Sequence, residues 1–152
     1  MSTRPPRTVL ATVLLAVSAS LLTPSTAQAQ TAERYERQAR VVTNAQRVDH
    51  DLVRLKKKPC VQRFARRQAR RMANQQRMFH QDLGVVLNRC DLSAVGENVA
   101  YGYATGRAVV RAWLASPGHR ANLLNPVYRQ LGMAARKGDD DQWYAVQVFG
   151  RR

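Results

Sequence analysis

Two histidines and one glutamate are the side chains with the most chemical potential in this chain: His80, Glu97 and His119. Imidazole titrates close to neutral pH and can both give and accept a proton, and a carboxylate beside it serves as partner or base. Two imidazoles and a carboxylate could supply three ligands to a divalent metal such as zinc, with a fourth position left for water. They could equally act as acid and base around a bound polar group. Each residue also has a purely structural reading: His80 as a surface loop residue, Glu97 as a turn carboxylate, His119 as a donor at a helix terminus. Spacing along the chain does not by itself bring them together.

Hydrolysis needs a nucleophile or an activated water. Beyond residue 29 the only serines are Ser93 and Ser116, and neither lies in a Gly-x-Ser-x-Gly turn. Ser116 reads as a helix cap. A hydrolase reading therefore rests on a histidine-bound metal, with Glu97 and His119 as the catalytic candidates. Tyr101 and Tyr103 fall on the same side of an extended segment and are candidates to line a cleft. Trp113 shares a helical stripe with Val109 and Val110 and reads as core.

The elements that must position these residues follow from periodicity. Gln30 to Leu55 is polar and helix-prone, with Tyr35, Ala39, Val42, Ala45 and Val48 at spacings of three and four. Lys56-Lys57-Lys58-Pro59 interrupts it. From Cys60 to about Met78 the apolar Val61, Phe64, Ala65, Ala69, Met72 and Ala73 share a face, with arginines mostly opposite. His80 to Asp91 reads as loop. Thr105 is placed to cap a third helix, and Ser116 a short fourth with Pro117 at its first position. Gly132–Arg136 and Trp143–Phe149 read as strands joined by a hairpin loop at Lys137–Gln142. Helices first and a hairpin last predict an α+β fold, with helices packed on a small antiparallel sheet.

Arg4 and Arg7, the apolar run Val9–Leu22 and the small-x-small site Ala27-Gln28-Ala29 predict a secretory signal peptide over residues 1–29, leaving one domain at 30–152. The apolar run is short for a membrane span. The chain has 25 Lys and Arg against 10 Asp and Glu, a net charge of +15, and the signal removes two arginines and no acid. Such a balance suits polyanions: anionic cell-envelope polymers or lipid head groups, with export disfavouring nucleic acid. The arginine-rich helix face lacks interleaved aromatics and any nucleic-acid-binding pattern, and is otherwise a solvated surface. Cys60 and Cys90 are the two cysteines. Export favours a bridge between them, closing a loop of about thirty residues and worth roughly 3–4 kcal/mol in the chain-entropy account; two free thiols are the alternative. No Cys/His spacing of a structural zinc site is present.

Five pieces carry a likeness: "NAQR" at Asn44–Arg47, "ARRQARRMANQQRMFH" at Ala65–His80, "GENVAYG" at Gly96–Gly102, "WLASPGHRANLL" at Trp113–Leu124 and "YAVQVFG" at Tyr144–Gly150. Together they resemble the CAP superfamily, the cysteine-rich secretory protein-like or SCP domains, in its short bacterial form. The resemblance implies an α-β-α sandwich with a surface cleft, and places His80, Glu97 and His119 along that cleft. Many eukaryotic relatives have a second glutamate three residues after the tryptophan; here Ser116 stands there, so the four-membered set is incomplete. The function so implied is a secreted, monomeric domain whose cleft binds a divalent metal or a small polar, lipid or peptide ligand at the cell envelope. The alternatives are a metal-dependent, peptidase-like hydrolase and an envelope-adhesion protein driven by charge.

Overall fold

The computed structural model describes residues 31–152; the signal peptide expected over residues 1–29 lies outside them. The first helix, α1 (Ala32–Val48), starts where the Thr31 hydroxyl accepts the backbone N–H of Arg34 at 3.2 Å. It buries Tyr35, Ala39, Thr43 and Arg47 at four-residue intervals, the spacing that keeps side chains on one face. It stops well short of Leu55 because Arg47 and Asn44 are committed to the chain that follows. Arg47 is fully buried. Its guanidinium donates to the carbonyls of Val53, Leu123, Asn125 and Tyr128 at 2.8–3.4 Å. The Asn44 amide brackets Leu55, accepting its N–H at 2.8 Å and donating to its carbonyl at 3.1 Å. The Asn44–Arg47 piece is thus a clamp on two later segments.

Lys56–Lys57 forms a short strand, β1, where the sequence suggested only an interruption. Pro59 then opens α2 (Pro59–Gln75), a position where its missing N–H costs nothing. The apolar stripe is buried as expected, and Arg63, Arg66, Arg67 and Arg70 face solvent. Residues read as loop contain a further helix, α3 (Leu83–Arg89), capped by the Asp82 carboxylate, which accepts from Gly84 N–H and Val85 N–H. The remaining elements are β2 (Ala94–Tyr101), α4 (Gly106–Ala115), α5 (Pro117–Leu123), β3 (Gln130–Lys137) and β4 (Trp143–Arg151).

The fold is α+β, with the four strands ordered β1-β3-β4-β2. The sheet is mixed: β3 pairs antiparallel with β4 and β4 with β2, while β1 runs parallel to β3. Alternate strand residues point to opposite faces, so β4 sends Tyr144, Val146 and Val148 toward α2 and α3, and Ala145 and Phe149 toward α1, α4 and α5. Each face has its own core. Val61, Phe64, Ala65, Met72 and Val86 fill one; Tyr35, Val109, Val110, Trp113 and Leu123 fill the other. Burying such side chains contributes roughly 1.5–3 kcal/mol apiece. Tyr35 is buried against Trp143, its hydroxyl without a hydrogen-bond partner among the described residues, and burial pushes that hydroxyl's pKa up.

Two glycines set how closely the layers approach. A β-carbon at Gly106 would strike the α1 backbone at Tyr35 and Ala39, and one at Gly132 would strike the α2 backbone at Val61 and Gln62. Cys60 and Cys90 are joined, tying the start of α2 to the end of α3.

Candidate functional site

The expected trio is distributed around β2, an outer strand of the sheet. Glu97 lies on the β2 face turned toward α2. His80 sits beyond the end of α2, and His119 in the first turn of α5 on the other layer. The Glu97 side chain is fully buried, whereas that of His80 is 58% exposed.

The Glu97 carboxylate can only accept, so at 2.8 Å His80 donates through Nδ1–H to Glu97 Oε1. The Gln81 backbone N–H donates to the same oxygen at 3.2 Å, and the Gln81 side-chain amide donates to Oε2. Both carboxylate oxygens therefore accept at least one hydrogen bond. A carboxylate behind a ring fixes its orientation and presents Nε2 outward, and this is what Glu97 does for His80.

His119 is oriented differently. Its Nδ1 is hydrogen-bonded to Ser116 Oγ at 2.9 Å, and its ring tilts against Trp113 with centroids 6.5 Å apart. Ser116 occupies the N-cap position of α5, but its hydroxyl makes no bond to the helix backbone; it spends that bond on the ring instead of capping. Burial lowers the pKa of His119, and the nearby charge of His80 lowers it further. The two rings have separate anchors, Glu97 for His80 and Ser116 for His119.

The Gly-Glu-Asn run has a distinct task at each position. Gly96 leaves room that a β-carbon would take from the Tyr128 hydroxyl, which donates to the Val95 carbonyl at 3.1 Å. Glu97 receives His80. Asn98 faces the other layer and donates to the main-chain carbonyl of His119 at 3.1 Å. From α5, Asn122 returns the contact, donating to the Glu97 carbonyl and to Asn98 Oδ1 at 3.1 and 3.0 Å. The Trp113 indole N–H donates to the Val99 carbonyl at 3.2 Å. Carbonyls of Val95, Glu97 and Val99 on the outer edge of β2 are thus each received by a side chain.

Beside His119 opens a pocket of about 240 Å³, lined by Met78, Val99, Tyr101, Tyr103, Trp113 and Ser116 among others. Tyr101 and Tyr103 both reach it. Met78, Tyr101 and Tyr103 are exposed. Trp113 is buried and also forms part of the pocket wall.

Zinc fits these residues poorly. Catalytic zinc sites use three protein donors. Both Glu97 oxygens already accept hydrogen bonds from His80 and Gln81, and among the described residues no group of three or more His, Cys, Asp or Glu side chains could hold a metal ion. Two imidazole Nε2 atoms remain, so no step is assigned through a metal.

Residues 41–149 match the cysteine-rich secretory protein family, CAP. The chain belongs to that family. An uncharacterized Bacillus subtilis protein, YkwD, is 31% identical over 106 residues, covering 65% of this chain and 41% of that protein. An uncharacterized membrane protein of the same bacterium, YlbC, is 44% identical over 62 residues, 41% of this chain and 16% of that protein. Among solved structures, an extracellular SCP-domain protein of Bacillus anthracis superposes with a TM-score of 0.70 at 30% identity, covering 88% of this chain and 45% of that one. The chain thus spans less than half the length of each of these three relatives. Among the described residues no helix is long and apolar enough to cross a membrane.

Sequence reasoning missed Gln81, Asn98 and Asn122 as members of the site. All three lie beside or within the CAP motif pieces, and polar side chains flanking the trio were the available signal.

Proposed function

We propose that this chain is an extracellular CAP domain that binds a small amphipathic molecule in the pocket beside His119. The observation that carries the reading is the pocket's division of labour. Met78, Val99, Tyr101 and Tyr103 offer an apolar wall, while Ser116 and His119 supply polar groups in the same pocket. At about 240 Å³ the pocket is below the ~300–1,000 Å³ of sites for drug-sized ligands, which suits a short acyl chain with a polar head. An extracellular setting is supported by the likeness to the extracellular protein of Bacillus anthracis.

Binding is favoured over hydrolysis by the surroundings of Ser116. A serine activated by a histidine needs a third group to orient the ring, and among the described residues His119 has no carboxylate partner. The test is titration of decanoate and a short-chain lysophospholipid, followed by tryptophan fluorescence, since Trp113 lines the pocket. Saturable quenching is expected, weakened about tenfold or more by Ala112→Trp, which fills the cavity. A flat titration with both probes removes the proposal.

A further inference from the structure

We infer that a basic trough, separate from the histidine pocket, binds a linear phosphodiester polymer. Three hollows adjoin on the α2 side of the molecule. The first, about 780 Å³, is lined by Arg63, Arg66, Arg67 and Arg70 of α2 and by Arg89 of α3. It shares Cys60 and Arg63 with a second of about 350 Å³. That one shares Lys58, Gln130 and Arg152 with a third of about 340 Å³, where Arg54, Lys56 and Arg129 follow. No Asp or Glu lines any of the three. Two acids pair loosely with lining arginines: Glu36 lies 4.0 Å from Arg66 and Asp91 lies 3.6 Å from Arg152.

Three features identify the occupant. The trough is concave and runs from α2 past the disulfide to β1, a shape for a chain rather than a flat bilayer. Its α2 guanidinium groups recur at every helical turn, about 5.4 Å apart, so a polymer with one charge per short repeat can be met repeatedly. Guanidinium forks match phosphate oxygens in pairs and suit partly apolar surroundings better than ammonium groups do. Aromatic platforms, which single-stranded nucleic acid requires for stacking, are lacking. Phe64 is the one aromatic lining the three hollows, and the Arg67 guanidinium sits 4.5 Å over its ring.

The test measures binding of poly(glycerol phosphate) to the full domain across a salt series. Two triple variants are compared. Arg63→Gln, Arg66→Gln and Arg70→Gln removes three charges from the trough. Arg107→Gln, Arg111→Gln and Arg136→Gln removes three from elsewhere; all six are exposed. The trough triple should lose about tenfold or more and flatten the salt slope by about two, while the control stays within about threefold, because only contacting charges release counterions. Equal losses from both triples, or no binding at all, overturn the inference. So does tighter binding to phosphatidylglycerol vesicles or to an oligo-dT strand than to the polymer. His119→Gln should leave polymer affinity unchanged, which keeps this test distinct from that of the pocket ligand.

Discussion

The Asn98 side-chain amide donates to the main-chain carbonyl of His119 at 3.1 Å, joining the outer strand of the sheet to the helix that carries the second imidazole. The same side chain accepts from Asn122 and lies 3.5 Å from Gln147 Oε1. It is fully buried. Asn98→Ala leaves these partners without their bonds inside the protein, a situation that costs about 1–3 kcal/mol. Urea unfolding should show that loss, together with weaker binding in the pocket. A variant as stable as the parent would mean that water replaces the bond without penalty.

His119 supplies a pH dependence of determined sign. Its pKa in the folded protein is held below the usual histidine value by burial and then by His80. Between that lowered value and about 6.5 the unfolded chain binds the proton more readily than the native one. Stability from this group is therefore full above about pH 6.5 and declines as pH falls through the window. Comparing urea midpoints of the parent and His119→Gln from pH 8 to pH 4.5 reads it directly. The parent should lose more stability on acidification than the variant; parallel curves would contradict the assignment.

Arg47 is a buried cation held by four carbonyls, with no carboxylate partner among the described residues. Burial and the charge of Arg129 lower its pKa. Arg47→Met should cost about 3 kcal/mol or more, since several buried carbonyls lose their donor at once. Arg47→Lys should recover little of this, because one ammonium cannot span the fork. The thermal midpoints of the two variants check the ranking.

Gln76 follows the last turn of α2 with φ of 46°, while its N–H and that of Arg77 bond back to Ala73 and Met72. A side chain in this left-handed conformation costs about 1–2 kcal/mol, against the smaller entropic cost of glycine. Gln76→Gly should stabilise the domain by about 0.5–1 kcal/mol. A drop in melting temperature would show that the glutamine makes a contribution its exposed position does not suggest.

Much of this architecture was legible beforehand, and the exceptions have physical causes. The apolar stripe of α2, Thr105 as a cap and the β3–β4 hairpin were all written in local pattern. The disulfide followed from expected export and an even cysteine count. The helix α3 was hidden because Leu83-Gly84-Val85-Val86-Leu87 has no polar alternation and contains a glycine, although Asp82 was a visible cap. Lys56–Lys57 carries no strand pattern at all; its pairing comes from β3, far along the chain. At the site, the identities of His80, Glu97 and His119 came from the CAP likeness. The place of Glu97 behind His80 could not be read, since it depends on Gln81 taking both carboxylate oxygens. Ser116 was read as a cap for its position, whereas the ring of His119 competes for its hydroxyl and wins.

The two rims of the sheet bear on how the protein behaves in company. One starts with the two lysines of β1, which cover only Gln130 and Leu131 of β3; farther along β3 the Gln62 side chain bonds both the N–H and the carbonyl of Met133. Along the other, alternate carbonyls are already taken by Tyr128, Asn122 and Trp113. An open rim recruits strands from neighbouring molecules and seeds fibres; here one is interrupted by two lysines and by Gln62, and the other has its acceptors filled from within. A crowded solution of this domain should therefore stay dispersed, with growth of the sheet from molecule to molecule hindered at both borders.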